Sequence, residues 1–228
     1  RENLIDVSLL EFCVRDELNK TSNRKMVVIN PLKLTITNYP EDQEEFLRTE
    51  NNPEQENAGH RKVPFSKHLY IEKEDFLEEA GKKFFRLTIG KEVRLKSAYI
   101  VCGEKAIKNK EGDIVEVQCT YDSKSKSGSG TEESLRKVKG TLHWVSKTHA
   151  TPVEIREYDR LFMVPDPGAE DDFIKDLNPN SLKTKKGFAE PSLASPKINE
   201  RFQFQRKGYF VVDKDSTKDA AVFNKTVA

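Results

Sequence analysis

Between Lys82 and Tyr99 the chain reads KKFFRLTIGKEVRLKSAY, with apolar positions alternating against basic and polar ones about a central glycine. Phe85, Leu87, Ile89, Val93 and Leu95 share one parity, and Arg86, Thr88, Arg94 and Lys96 share the other. A period of two predicts half-buried strand, because successive side chains leave a pleated backbone on opposite sides. A reversal at Gly90-Lys91-Glu92 brings Arg86 opposite Lys96 and Thr88 opposite Arg94 on one face, and a strand running straight on keeps the same parity. Either way the stretch predicts an apolar underside and a cationic upper face. A solvated outer sheet face has the same pattern, so alternation by itself does not separate binding from decoration.

The rest of the chain carries a similar grammar. Residues 4–20 predict a helix capped by Asp6 or Ser8, with Leu9, Leu10, Cys13, Val14 and Leu18 at helical spacing. From Met26 the pattern turns to β: MVVIN reads as a buried strand, Pro31 interrupts it, and LKLTITNY alternates. Pro40 to Ala58 has the composition of an exposed loop, Val63–Phe65 and HLYIEKEDF resume strand, and Glu72–Ala80 predicts a short helix closed by Gly81. Ser97–Ala106 and Ile114–Tyr121 around NKEGD predict a hairpin with Cys102 and Cys119 on neighbouring strands. Ser123–Glu133, SKSKSGSGTEE, reads as flexible low-complexity loop. Lys137–Val145, Pro152–Arg156, Phe202–Val212 and Val222–Val227 complete the strands. Pro165, Pro167 and Gly168 punctuate before AEDDFIKDL, which offers one or two helical turns. Many short strands with few helices predict an all-β fold of barrels or sandwiches.

Composition narrows the class. The 228 residues suffice for one large or two smaller domains, and with 34% charged residues and no apolar run of membrane-spanning length the chain reads as soluble. The net charge of +1 conceals an asymmetry: Glu41–Glu56 holds seven acids and one base, Lys82–Lys108 eight bases and two acids. One face can therefore bind a polyanion without a basic total. Cys13, Cys102 and Cys119 form no C-x-x-C pair, which predicts core cysteines in a reducing compartment rather than a zinc ribbon or disulfide framework. The start RENLIDVSLLEF has neither Met nor a signal-peptide core, and the sequence reads as a piece of something longer.

Catalytic chemistry finds little to attach to. His60, His68, His143 and His149 fall at no metal-ligand or triad spacing, and no Walker loop, G-x-G-x-x-G or G-x-S-x-G is present. The carboxylate pairs Asp171-Asp172 and Glu44-Glu45 fall in solvated stretches. Binding is better represented. Arg24, Arg86, Arg94 and Arg206 stand at the edges or polar faces of predicted strands among Phe84, Tyr99, Phe204 and Tyr209, a mixture suited to unpaired bases and phosphates.

At Gly140 begins GTLHWVSKTHATPVEIREYDRLFMVPDPG, followed by LNPNSL, KGFAEPSL, FQFQRKGYFVVD and VFNKTV, and preceded by VINPLKLTITNY, KVPFSKHLYIEKEDF and GKEVRLKSAYI. Through these strings almost the whole chain resembles the C-terminal half of the bacterial-type glutaminyl-tRNA synthetase family. The resemblance implies the anticodon-binding part of a class I synthetase: residues 1–23 ending a helical subdomain, 24–81 with 163–228 a proximal β-barrel, and 82–162 a distal β-barrel. It implies tRNA-Gln as partner, no membrane, a monomer, and the cytoplasm. ATP-dependent glutaminylation, with ATP and Mg2+, would belong to a catalytic domain upstream, leaving no catalytic or metal-binding residue in this chain. By position, the family motif implies Arg24 and Gln203 at the middle anticodon base, Arg86 at the third, Arg94 at the first, and Lys96 at a phosphate or base. Phe85 stands where a basic residue is expected. An archaeal or eukaryotic-type glutamyl-tRNA synthetase has similar barrels, and a stand-alone RNA-binding or protein-interaction barrel shares the strand pattern.

Overall fold

The computed structural model describes residues 6–167 and 172–228. Its first element is the helix Val7–Thr21, begun by the Asp6 carboxylate, which accepts from Ser8 N at 2.8 Å, and closed by Ser22 N–H donating to Leu18 O. Asp6 rather than Ser8 is thus the cap, and residues 4 and 5 of the expected helix lie outside the described residues. Leu18 packs with Tyr209 and Val227, seating the helix on the strands near the C-terminus.

The next run, Asn23 to Val28, explains the fully apolar string MVVI. Its side chains alternate between two cores: Met26 and Val28 enter one, Val27 and Ile29 the other. Two-sided burial removes the polar half of the usual alternation. The same run also closes a sheet. Asn23–Lys25 pairs with Arg201–Phe204, while Val27–Val28 pairs with Leu182–Ala189. Between these edges the order is Arg201–Phe204, Gly208–Val212, Ala221–Val227, Thr151–Tyr158, Leu182–Ala189, so the seven strands curl back on themselves. The other seven-stranded sheet uses the same device. Its edges Thr141–Leu142 and Val145–Ser146 flank only His143 and Trp144, and enclose Glu92–Leu95, Ile100–Lys108, Ile114–Tyr121, Pro31–Ile36 and His68–Glu72. Trp144 is fully buried and its Nε1 donates to Lys96 O at 3.0 Å. The all-β class is what the alternation anticipated, and two barrels are what the family resemblance implied.

The sheets divide the chain at other points than expected. Pro31–Ile36 and His68–Glu72, expected with 163–228, ladder instead with Ile114–Tyr121 and Val145–Ser146. Thr151–Tyr158, expected within the 82–162 barrel, ladders with Leu182–Ala189 and Ala221–Val227. Alternation specifies a strand's faces and not its partner, which is why partition was harder to read than strand content. Local expectations differ too. The acidic stretch 40–58 contains the strand Glu45–Glu50, paired with His60–Phe65, because Glu45 accepts from Tyr39 Oη at 3.2 Å and Tyr99 Oη at 2.6 Å while Leu47 enters the core. Glu72–Ala80 forms only a 3-10 turn, Lys73–Asp75, since Phe76 is drawn into a bridge with Leu87. The strand Leu182–Ala189 was not anticipated; four of its first five residues are polar or charged, and those five are all exposed. Of AEDDFIKDL, Phe173–Asp176 forms a 3-10 turn; Ala169–Asp171, and Gly168 before them, lie outside the described residues.

Three buried carboxylates join the barrels. Glu72 accepts from Ile29 N at 2.8 Å and Asn30 N at 3.0 Å, with Lys207 Nζ at 3.3 Å and His143 Nε2 at 3.4 Å. Glu190 accepts from Met26 N at 3.0 Å and from Arg61 Nη2 at 2.8 Å. Asp75 takes both terminal nitrogens of Arg206, at 2.7 and 2.6 Å. Tyr70 stacks on Phe188 beside them, centroids 4.6 Å apart. Cys102 and Cys119 lie on paired strands, both free, and burial pushes the Cys119 thiol up, as suits a core cysteine.

Burial raises the Glu72 carboxyl, but His143, the Ile29 amide and Lys207 outweigh it, and the net shift from 4.5 is downward. The native carboxyl therefore takes up a proton at lower pH than the unfolded one, so its stabilisation is present above the ordinary carboxylate range and lost as pH falls through the folded value. Urea unfolding followed by fluorescence of Trp144, the only tryptophan, is expected to show this loss below about pH 5. Glu72→Gln is expected to cost roughly 3 kcal/mol at neutral pH and to flatten that acid limb. An acid limb of unchanged slope in the variant would contradict the assignment.

Candidate nucleic-acid interface

Arg24 and Gln203 are ladder partners across the parallel pair that closes one barrel, so one register brings both side chains to the same edge. Asn19, in the last turn of the helix, orients them. Its Oδ1 accepts from Arg24 Nη2 at 3.1 Å and from Tyr209 Oη at 3.1 Å, and Tyr209 Oη accepts from Gln203 Nε2 at 3.0 Å. Arg24 Nε is buried without a hydrogen-bond partner among the described residues. A guanidinium and an amide held side by side, with donors to spare, match the hydrogen-bonding edge of a base.

Lys96 arrives from the other barrel. It follows Glu92–Leu95 in a tight turn closed by Ala98 N donating to Leu95 O, with Ser97 in the left-handed region at φ 56. The hairpin therefore turns at Lys96–Tyr99, and Glu92–Leu95 pairs with Ile100–Cys102 rather than with residues before Gly90. Lys96 Nζ has no hydrogen-bond or ion-pair partner among the described residues. Arg24, Gln203 and Lys96 line one cleft of about 680 Å³, with Arg48, His60 and Arg206 adding positive or titratable groups and Glu50 the one acid in its wall.

Alternation fails where residues 84–89 leave regular strand. Phe85, expected inward, is 53% exposed, whereas Thr88, expected outward, is buried and Ile89 is exposed. Phe85 and Arg86 line a second cleft of about 500 Å³. The Lys139 ammonium lies over the Phe85 ring, 5.4 Å from its centroid, returning a positive charge to the position where a basic side chain was expected. Next to Lys139, Gly140 lies so close that a Cβ there would stand 2.2 Å from Phe85 O, which fixes how the two segments meet. Arg206 lines both clefts and is the wall between them. Arg86 Nη1 stands 3.2 Å from Glu74 O and 3.2 Å from Asp75 Oδ1.

Arg94 is placed differently. Nη1 donates to Ser125 O and Ser127 Oγ, and Nη2 to Ser134 O and Arg136 O, at 2.9–3.2 Å, so all four terminal N–H groups are engaged. The segment 123–133, expected to be flexible, is ordered by this guanidinium and by buried Ser125, whose Oγ accepts from Ile100 N. Tyr99, Phe204 and Tyr209, considered as stacking platforms, are buried in the cores. Arg48 and His60, 3.1 Å apart, had escaped notice because the strand carrying Arg48 lies within the acidic stretch. The alternation EFLRTE was the signal that would have found it.

Two family models match, both described as the anticodon-binding domain of class I tRNA synthetases (E and Q), over residues 22–122 and 141–213. The chain belongs to this family. Curated relatives agree: it is 52% identical over 226 residues to a glutamine–tRNA ligase of Rhodopirellula baltica, covering 98% of the chain and 37% of that protein. It is 48% identical to those of Pseudoalteromonas atlantica and Proteus mirabilis, covering 99% and 100% of the chain and 41% and 40% of theirs. The chain thus spans about two fifths of the length of the curated relatives it matches. In this anticodon-binding domain, Arg24, Lys96 and Gln203 share one cleft, Arg86 lies in the next, and Arg94 lines neither. Among the described residues no cluster of three or more His, Cys, Asp or Glu is placed to hold a metal ion, and no helix is long and apolar enough to cross a membrane.

Arg94→Ala removes four hydrogen bonds from a charged donor. It is expected to lower stability by roughly 1.5–3 kcal/mol. Hydrogen exchange should quicken across residues 122–136 more than elsewhere; exchange rising evenly over both barrels, or not at all, would contradict the bracing role.

Proposed function

We propose that this chain reads the anticodon of a glutamine-accepting tRNA on behalf of a larger ligase, whose ATP-dependent attachment of glutamine to tRNA takes place outside it. On this reading the chain by itself binds tRNA and does not aminoacylate, works as a monomer in the cytoplasm, and leaves ATP and Mg2+ to the rest of the enzyme. The observation that carries the proposal is the joint opening of Arg24, Gln203 and Lys96 into one cationic cleft. The identity of 48–52% to glutamine–tRNA ligases favours glutamine over glutamate, which the family description also admits.

The roles follow from donor and acceptor matching. A glutamine anticodon carries uracil in the middle and guanine third. Gln203 and Arg24 supply an amide and a guanidinium to the edge of the uracil, and Arg86 pairs with guanine O6 and N7. Phe85 offers an exposed ring on which a splayed base stacks, with Lys139 behind it. Lys96, a mobile point charge, takes a phosphate or the first base. Arg94 supports first-base recognition by bracing the Ser125–Ser127 wall beside Lys96, since a direct contact would cost it bonds it already makes.

Fluorescence anisotropy with tRNA-Gln and with anticodon-substituted versions, across a salt series, tests the proposal. Affinity is expected to fall steeply with salt as neutralised phosphates release counterions, and each substituted base to weaken binding by roughly 1–3 kcal/mol. Arg86→Ala should erase the penalty at the third base only. Equal affinity for every anticodon would overturn sequence reading, and a salt slope near zero would overturn nucleic-acid binding.

A further inference from the structure

Asp75 is fully buried, yet it belongs to neither core. It ends the 3-10 turn Lys73–Asp75 of one barrel and holds Arg206 of the other through two parallel bonds, Nη1 to Oδ2 at 2.7 Å and Nη2 to Oδ1 at 2.6 Å. The same Oδ1 stands 3.2 Å from Arg86 Nη1, so one carboxylate serves two guanidinium groups. Arg206 sits in the left-handed region, φ 67, in the turn between Arg201–Phe204 and Gly208–Val212. The backbone thus presents it in a conformation that a non-glycine residue adopts only when its surroundings hold it there. The pairing with Asp75 raises the Arg206 pKa further, so it stays cationic.

Without Asp75 two cations would face each other across a narrow gap and repel. With it, they are held close, and each keeps donors free: Arg206 spends two of its five on the carboxylate. Because Arg206 walls both clefts, a base seated in either meets a side chain whose position depends on the same anion.

We infer that Asp75 is a positioning residue that sets Arg206 and Arg86 together, and so couples recognition of the two bases seated in the neighbouring clefts. This rests on the reading of the clefts as the anticodon site. It assigns discrimination to a residue that touches no RNA.

The test uses Asp75→Asn, which keeps shape and removes the charge, against fluorescein-labelled anticodon stem-loops substituted at each position in turn, with a thermal melt to establish folding. Discrimination at the middle and third positions is expected to fall about tenfold while that at the first position stays as in the wild type. In the wild type, substituting both positions together should cost less than the product of the single losses, and in the variant the losses should become multiplicative. Should Asp75→Asn fail to fold, Arg206→Lys, which keeps the charge and breaks the two-bonded fork, carries the same expectation. A uniform weakening of all RNAs, or unaltered discrimination in a folded variant, would overturn the inference and leave the anticodon reading intact. A wild-type chain that discriminates at no position would overturn both.

Discussion

The two barrels meet through carboxylates that water does not reach. Glu72, Asp75 and Glu190 are each almost wholly buried, and each is satisfied from across the junction by backbone amides or by cations. An unpaired carboxylate in such a place would be prohibitive, so the partners must arrive together and in register. Hydrophobic contact alone would leave the junction free to slide. Bidentate bonds to Arg61 and Arg206 are directional and do not. The alternate loading of Met26–Ile29 into both cores adds a covalent hinge at the same seam, so the relative placement of the barrels is specified twice.

That placement creates the site. Arg24 and Gln203 meet within one barrel, Lys96 and Arg86 come from the other, and the seam brings the two pairs together. Arg206 shows the connection most plainly: it is a strut of the junction through Asp75 and at the same time a wall of both clefts. A structural bond and a place in both cleft walls therefore fall on the same side chain. Arg94 lies at the opposite extreme, with its terminal donors committed to the 125–136 segment.

Much of this was legible in the sequence, and the pattern of success has physical causes. Period-two alternation identified most strands and the all-β class, because one-sided burial leaves that imprint directly. It also set Val93 and Leu95 inward and Arg94 on the other face, correct for Glu92–Leu95, where regular strand persists. It misplaced Phe85, Thr88 and Ile89, since the chain there forms only isolated bridges and side-chain direction follows turns. Partner choice was the harder problem: nothing in Thr151–Tyr158 announces whether it ladders with residues before or after it. The ribbon Glu45–Glu50 was hidden by its acidity, although Glu45 is held by two tyrosines and Lys126. Arg24 and Gln203, 179 positions apart, were joined by resemblance and meet in the ladder; no local pattern connects them.

The stretch Lys82–Tyr99 thus divides into two parts with different duties. Phe85 and Arg86 form the floor of one cleft, and Lys96 the rim of the other, with Leu87, Val93 and Leu95 anchoring them from below. The claim that the seam between the barrels is the RNA surface is tested most directly by hydrogen exchange of the chain with and without a glutamine anticodon stem-loop. Protection is expected to concentrate at residues 24–25, 84–86, 95–98, 125–128 and 203–207, on both sides of the junction. Protection confined to one barrel, or lying on the hairpin Ile100–Lys108 and Ile114–Tyr121 with the seam unchanged, would contradict it.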